Sequence, residues 1–160
     1  MADKDNGGAA PDGRRGLAIN AQYVKDLSFE NPRAPHSLVQ VQQKPPEVSL
    51  GIDVAAQSLA PDTFEVTLTL HAEAKRDGER VFLVELTYAG VTTLTNVPEA
   101  EIPLALFIET PRLLFPFARA IIASATLEGG FMPLMINQVD FADLLRRKQE
   151  AQQSRAAASA

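Results

Sequence analysis

The chain has 160 residues, of which 46% are hydrophobic and 22% charged, the composition of a folded globular protein with one domain-sized core. Its formal net charge of −5 argues against binding to a nucleic-acid backbone, which requires a basic surface, and is compatible with a basic protein partner. Cysteine is absent, which excludes disulfides, a thiol nucleophile and a thiolate metal site.

Neither a membrane span nor a secretory signal is visible in the sequence. No apolar run approaches the roughly 20 residues that a membrane span needs, and the first residues lack the apolar segment of a secretory signal. We therefore expect a cytoplasmic protein with no direct membrane insertion. Composition predicts a disordered N-terminal tail at residues 1–16, one folded domain at residues 17–148 and a flexible, Ala-rich C-terminal tail at residues 149–160.

The first predicted element is a strand with two different faces, INAQYVKDLSFE. If its side chains alternate strictly, the apolar face consists of Ile19, Ala21, Tyr23, Leu27 and Phe29. The polar face then consists of Asn20, Gln22, Asp26, Ser28 and Glu30, and the exceptions are Val24 and Lys25. Asp26 and Glu30 lie roughly 13 Å apart at about 3.3 Å per residue, too far to share a proton or a metal ion. They form either a solvated strand face or two anchor points for a basic partner.

Three further strands are predicted before residue 95, at Glu47–Val54, Thr63–Ala74 and Arg80 to about Leu94. The apolar residues Val48, Leu50, Ile52 and Val54 share one face of the second strand. Pro61-Asp62 and Asp77-Gly78 are turn signals between the strands. The fourth strand is apolar on both faces, because Val81 and Leu83 accompany Glu85 opposite the face of Phe82. Residues 36–46 are predicted as an irregular loop.

The second half of the chain is predicted to be helical. Residues 96–111 form a long apolar connection or a short helix, and Pro116 is typical of the first turn of a helix that ends at Gly129-Gly130. Asp140 caps a last helix from Phe141 to about Gln152. Strands followed by helices predict an α+β fold, a four-stranded antiparallel sheet with helices on one face. Apolar side chains around most of the central helix imply an oligomer.

No catalytic constellation is visible in the sequence. There is no HExxH motif, Gly-rich phosphate loop or nucleophile elbow, and the histidines, His36 and His71, lie in a loop and on a polar strand face. We therefore predict no enzyme, no catalytic residue, no metal and no cofactor; a spatially assembled enzyme site and an inert oligomeric scaffold stay as alternatives. Surplus apolar surface is typical of a binding site, and a free sheet edge can accept an extended peptide as an added strand.

Several segments resemble SecB, the family of bacterial protein-export chaperones. YVKDLSFENPRAP, at Tyr23–Pro35, resembles its opening strand. The resemblance continues through PEVSLGIDV, VFLVELTYAG, PRLLFPFAR and GGFMPLMINQVDFADL, and covers roughly residues 18–146 in order. It implies a four-stranded antiparallel sheet with a long helix and a C-terminal helix on one face. It also implies a homotetramer, a dimer of dimers with helices between two sheets.

The resemblance also implies a function, that of an ATP-independent holdase. Such a chaperone keeps precursor proteins unfolded and delivers them to the SecA translocation ATPase, without a cofactor of its own. A related chaperone assigned to an antitoxin or another dedicated client is the alternative. By position, the resemblance assigns SecA binding to Asp26, Glu30, Leu83 and Glu85. It assigns client binding to Val48, Leu50 and Ile52.

Overall fold

The computed structural model describes residues 13–40 and 44–160. Most of the predicted N-terminal tail, and residues 41–43 of the predicted loop, lie outside the described residues. Four strands form one sheet: β1 (Gly16–Glu30), β2 (Glu47–Ala60), β3 (Thr63–Arg76) and β4 (Glu79–Thr95). Their order is β1-β4-β3-β2 and every neighbouring pair is antiparallel, so β1 and β2 are the edges. The predicted α+β fold is confirmed.

Helices cover one face of this sheet, which we call the helix face; the opposite face is the outer face. The helices are α1 (His36–Gln40), α2 (Ile102–Leu104), α3 (Thr110–Glu128) and α4 (Phe141–Ala158). A 3-10 turn, Glu99–Glu101, precedes α2, and a π-helical turn, Ala105–Glu109, joins α2 to α3. The core lies between α3 and the helix face; its fully buried members include Leu68, Leu70, Val84, Leu86, Leu114, Phe115 and Ile122.

The predicted position of Pro116 in the first turn of its helix was wrong. α3 begins at Thr110, and the proline lies inside it. A proline in a helix interior removes one hydrogen bond and crowds the preceding turn. Thr110 and Leu114 are fully buried ahead of it, so packing against the sheet offsets that cost.

The C-terminus of α3 and the N-terminus of α4 lie where the sequence signals predict them. α3 stops at Gly129-Gly130, and Gly130 has a φ of 92°, the left-handed conformation that glycine adopts without strain. The Asp140 carboxylate accepts a hydrogen bond from the Asp143 N–H at 3.0 Å, as predicted for a cap. α4 runs to Ala158 rather than to about Gln152, since its alanine-rich end favours helix.

The predicted faces of β1 were wrong in the middle of the strand. The pairing of β1 with β4 shifts between Ile19 and Ala21 and again between Val24 and Asp26, which marks two β-bulges. Each bulge adds one residue, so the side chains between the two bulges exchange faces. The helix face of β1 therefore carries Leu17, Ile19, Gln22, Val24, Leu27 and Phe29. Its outer face carries Ala21, Tyr23, Asp26, Ser28 and Glu30.

Hydrogen bonds agree with this assignment. The Tyr88 hydroxyl, on the helix face, donates to Gln22 Oε1 at 3.2 Å, whereas the Tyr23 hydroxyl donates to Glu65 across the outer face. The bulges also account for the exceptions in the sequence pattern. Val24 belongs to the helix face, and Lys25 occupies the second bulge.

Candidate functional site

The residues predicted to bind SecA lie together on the outer face of β1 and β4. Glu30 pairs with Leu83 in the strand register. Glu85, two residues further along β4, pairs with Ser28. Asp26 pairs with Thr87, so it is a diagonal neighbour of Glu85, about 7–8 Å away by sheet geometry. We call this set, Asp26, Glu30, Leu83 and Glu85, the outer-face site.

The carboxylates of the outer-face site differ in how far cations neutralise them. Glu30 accepts a hydrogen bond from Arg80 Nη1 at 3.3 Å. Glu85 is 3.1 Å from His71 Nδ1, and its side chain is 49% exposed. Asp26 is exposed and forms no ion pair with any residue that the structure describes. Asp26 and Glu85 are therefore the carboxylates with the least compensation by lysine or arginine.

Leu83 is not exposed, although it lies on the outer face of β4. Only 8% of it is accessible. Glu30 and Glu73 are the cross-strand neighbours of Leu83. Arg80 bridges their two carboxylates, at 3.3 Å from Glu30 and 2.6 Å from Glu73, and so lies over the leucine. Lys75 and Arg80 lower the pKa of Glu73, and Glu73 raises the pKa of Arg80. A guanidinium bridge covers the leucine.

A second polar cluster borders the site on β1 and β3. Lys25 Nζ donates to Glu65 at 2.9 Å, and the Tyr23 hydroxyl donates to the same carboxylate. These hydrogen bonds, that from Tyr23 first, hold the pKa of Glu65 below its ordinary value of 4.5. The same bond raises the pKa of Tyr23. The Glu65 carboxylate is therefore already bound by other residues of the sheet, whereas the Asp26 carboxylate is accessible to a partner.

We expect Glu65→Gln to lower the free energy of unfolding at pH 7 by about 1 kcal/mol. Because the pKa of Glu65 is lower in the folded state, its contribution is present above the ordinary carboxyl pKa and is lost as the pH falls through the folded value. Urea denaturation at neutral and acidic pH measures this, with Glu99→Gln as the control for an exposed carboxylate. A stability difference that persisted in acid would contradict the role of the ionised group.

The predicted client-binding residues lie on the helix face of β2, where the helices leave the sheet uncovered. Val48 and Leu50 are each 43% exposed, while Val54, further along the same face, is 4% exposed. A cavity of about 300 Å³ is lined by Pro45, Pro46, Val48, Phe82, Phe131, Met132, Pro133 and Leu134. A second of about 250 Å³ is lined by Leu50, Ile52, Val139, Asp140, Asp143, Leu144 and Arg147. We call these two cavities together the β2 groove.

The far wall of the β2 groove is the extended link between α3 and α4, and buried contacts anchor it. The Thr126 hydroxyl, fully buried, accepts a hydrogen bond from the Leu134 N–H at 2.9 Å. Phe131 packs on Phe82 with ring centroids 5.0 Å apart. A Cβ on Gly129 would lie 2.3 Å from the Phe29 ring, so the chain turns into the link where only glycine fits.

Sequence reasoning missed the residues of this link. Met132 is 82% exposed and Met135 64%, beside the groove wall formed by Phe131. Methionine is flexible and polarizable, which suits contacts with varied apolar partners. The sequence signal for these residues was the run GGFMPLMIN, in which large apolar residues surround a proline. Proline disfavours a helix interior or a central strand, where such residues would be buried.

A third apolar surface lies on the side of α3 away from the sheet. Leu113 is 50% exposed, Phe117 51% and Leu127 53%, and their spacing places them on one side of the helix. Leu104 of α2 adds a further half-exposed side chain. Such a row of large apolar residues is typical of a helix that packs against a partner.

Within residues 13–40 and 44–160, no three histidine, aspartate or glutamate side chains converge as metal ligands would. Among the described helices, none combines the length and apolar character needed to cross a membrane.

One family model and several known proteins match most of this chain. The model of the family described as preprotein translocase subunit SecB matches residues 11–153. The protein-export protein SecB of Nitrobacter hamburgensis is 50% identical over 91% of this chain and 92% of its own length. That of Maricaulis maris is 55% identical over 81% of this chain and 75% of its own length.

A solved structure shares the fold at much lower identity. It is the SecB-like chaperone Rv1957 of Mycobacterium tuberculosis, in complex with a ChAD peptide from the HigA1 antitoxin. Its TM-score is 0.62 at 16% identity, and the match covers 77% of this chain and 90% of that one. The family match over most of the chain, with relatives about half identical, shows that this chain belongs to the SecB family of protein-export chaperones.

Proposed function

We propose that this chain is an ATP-independent holdase of the cytoplasm that keeps precursor proteins unfolded and delivers them to SecA. The observation that carries the proposal is the separation of two binding surfaces by the sheet. The apolar β2 groove opens on the helix face, and the acidic outer-face site lies on the opposite face. A client and SecA can therefore be bound at the same time. Neither surface requires catalysis, a metal or a cofactor.

Clients bind in the β2 groove through Val48, Leu50 and Ile52. Val48 faces the mainly apolar cavity, and Leu50 and Ile52 face the cavity that also contains Asp140, Asp143 and Arg147. An extended client segment removes the exposed apolar area of the three residues from water. Little sequence specificity is needed, because a folded protein hides its apolar segments. Each contact is weak, but several grooves on one oligomer bind one long client with high avidity.

SecA binds at the outer-face site through basic groups of its own. Asp26 and Glu85 attract such groups most strongly because no lysine or arginine neutralises them in the described structure. Glu30 takes part when a basic group of SecA competes with Arg80, and that displacement uncovers Leu83. A formal charge of −5 per chain, or roughly −20 for four chains, steers a basic partner towards the oligomer.

The chain acts as a homotetramer, a dimer of dimers with its helices between two sheets. The half-exposed row of Leu113, Phe117 and Leu127 supports this assembly, because a second copy would remove these side chains from water. The acidic outer faces would then remain on the surface of the assembly, and neither surface selects a nucleic acid.

A second candidate is a chaperone assigned to an antitoxin. The supporting observation is that Rv1957, which has the same fold, is in complex with a peptide from the HigA1 antitoxin. The relatives that are about half identical are export proteins, which favours the first candidate. A nearby toxin gene, or preferential binding of one small partner over unfolded precursors, would favour the second.

The proposed holdase activity is tested by light scattering. A chemically denatured client is diluted into buffer containing the full chain and no nucleotide. We expect scattering to be suppressed when the tetramer roughly equals the client in concentration, because apolar client segments are held in the grooves, and we expect added ATP to change nothing. An equal concentration of an acidic protein without an apolar groove serves as control. Undiminished scattering, or suppression only with ATP, would reject the proposal.

A further inference from the structure

The apolar face of β2 is open at one end and closed at the other. Exposure falls from 43% at Leu50 to 4% at Val54, only four residues further along the strand. β2 is an edge strand, so its unpaired side could accept an added strand all along its length. Some feature of the fold must end the accessible stretch between these residues.

Lys148 of α4 lies at the point where the groove closes. Its Nζ donates to the Val54 carbonyl at 2.7 Å and to Asp53 Oδ1 at 3.0 Å, and it lies 5.9 Å from the centroid of the Phe107 ring. The cavity around these groups has a volume of only about 30 Å³, smaller than either cavity of the β2 groove. Lys148 is also the last half-buried residue of α4; every later residue of the helix is exposed.

The carbonyl that Lys148 binds is a group that an added strand would use. The Val54 carbonyl accepts a hydrogen bond from a side chain of the helix layer, as expected for a carbonyl on the unpaired side of an edge strand. Backbone groups along a strand alternate between its two edges. No bulge interrupts β2 between Val48 and Val54, so the N–H and C=O groups of Val48, Leu50 and Ile52 point to the same free edge. Those groups are open to a client, whereas the Val54 carbonyl is already bound.

We infer that Lys148 terminates the client groove and so limits the length of client segment that β2 can bind. A bound segment pairs with the edge from about Glu47 to Asp53 and stops at the Lys148 ammonium. The inference rests on the proposed function of the β2 groove. Lys148 thereby determines which client segments fit. About seven or eight extended residues can lie along this stretch of the edge. The same lysine protects the remaining edge from pairing with another chain.

The competing role for Lys148 is purely structural. The lysine could hold α4 against the sheet and have no influence on segment length. The two roles predict different results when length is varied. An anchor changes the binding of all peptides by the same factor, whereas a terminator changes only the binding of peptides long enough to reach it.

The test uses the full chain and a series of fluorescein-labelled Leu-Ser repeat peptides of about 6, 8, 10 and 12 residues. Fluorescence polarisation gives the affinity of each peptide for the parent chain and for Lys148→Met. Methionine keeps the apolar stem beside Phe107 and removes the ammonium group. The control is Arg155→Met, which removes a positive charge from the exposed part of the same helix.

For the parent chain, we expect affinity to rise with length and level off at about eight residues. For Lys148→Met, we expect it to rise further, to about tenfold tighter binding for the longest peptide, because the Val54 carbonyl becomes available to additional strand residues. Arg155→Met should match the parent. Equal plateaus for parent and variant, or a uniform change at every length, would overturn the inference. No binding by the parent at any length would instead reject the client groove itself.

Discussion

Replacing Glu85 with lysine is expected to weaken binding to SecA by about tenfold or more and to leave capture of an unfolded client nearly unchanged. Glu85 is half exposed on the outer face, and its nearest side-chain partner is the His71 imidazole, whose Nδ1 is 3.1 Å away. A lysine there would repel the basic groups that Asp26 attracts. The β2 groove opens on the opposite face of the sheet, so the change does not reach it.

Binding to SecA is measured by titration at several salt concentrations, and client capture by the scattering assay. Glu99→Lys makes the same charge change on an exposed turn beyond β4 and should leave both activities as they are. Asp26→Asn tests the site without reversing charge, and should weaken SecA binding less and make it less sensitive to salt. Equal loss of both activities in Glu85→Lys would show that the two surfaces are not independent.

Replacing Val48 and Leu50 together with serine is expected to weaken client binding by about 10- to 80-fold and to leave SecA binding intact. Each side chain is 43% exposed, so each has roughly half of its apolar area still to bury against a client. Full burial of such a side chain contributes about 1.5–3 kcal/mol. The double substitution therefore removes about 1.3–2.6 kcal/mol from binding while most core contacts remain.

Polarisation with the labelled peptides measures the effect directly. Leu59→Ser is the control, because Leu59 is 52% exposed on the same strand and lines neither cavity of the groove. Adding Ile52→Ser should weaken binding further but also lower stability, since Ile52 packs against the core. Unchanged peptide affinity in the double variant, with its thermal unfolding unaltered, would exclude Val48 and Leu50 as client contacts.

The faces of most predicted binding residues could be read from the sequence, because their side chains alternate along strand segments that no bulge interrupts. Along β2 no bulge occurs before Ser58, so Val48, Leu50 and Ile52 share the face that periodicity indicated. Asp26 and Glu30 share the outer face because both follow the second bulge of β1. Tyr23 was assigned to the wrong face, because a bulge is defined by two strands and has no signature in one of them alone.

Other features depended on side chains far apart in the chain. Leu83 is covered because Arg80 bridges Glu73 and Glu30, and Glu30 lies 50 residues away from Arg80. The far wall of the β2 groove is formed by the link after α3, which is anchored by the hydrogen bond between Leu134 and Thr126. Periodicity along one segment does not report such contacts, since it describes only which face is apolar.

By itself the sequence determined the strands, both tight turns, the helix stop at Gly129-Gly130 and the excess of apolar surface over what one chain covers. These follow from local backbone preferences and from alternation along single segments. Only the tertiary structure decided which carboxylates are left without a cation and where the β2 groove ends. Lys148 reaches the Val54 carbonyl across 94 residues of sequence, and only folding brings that ammonium group and that sheet edge within hydrogen-bond distance.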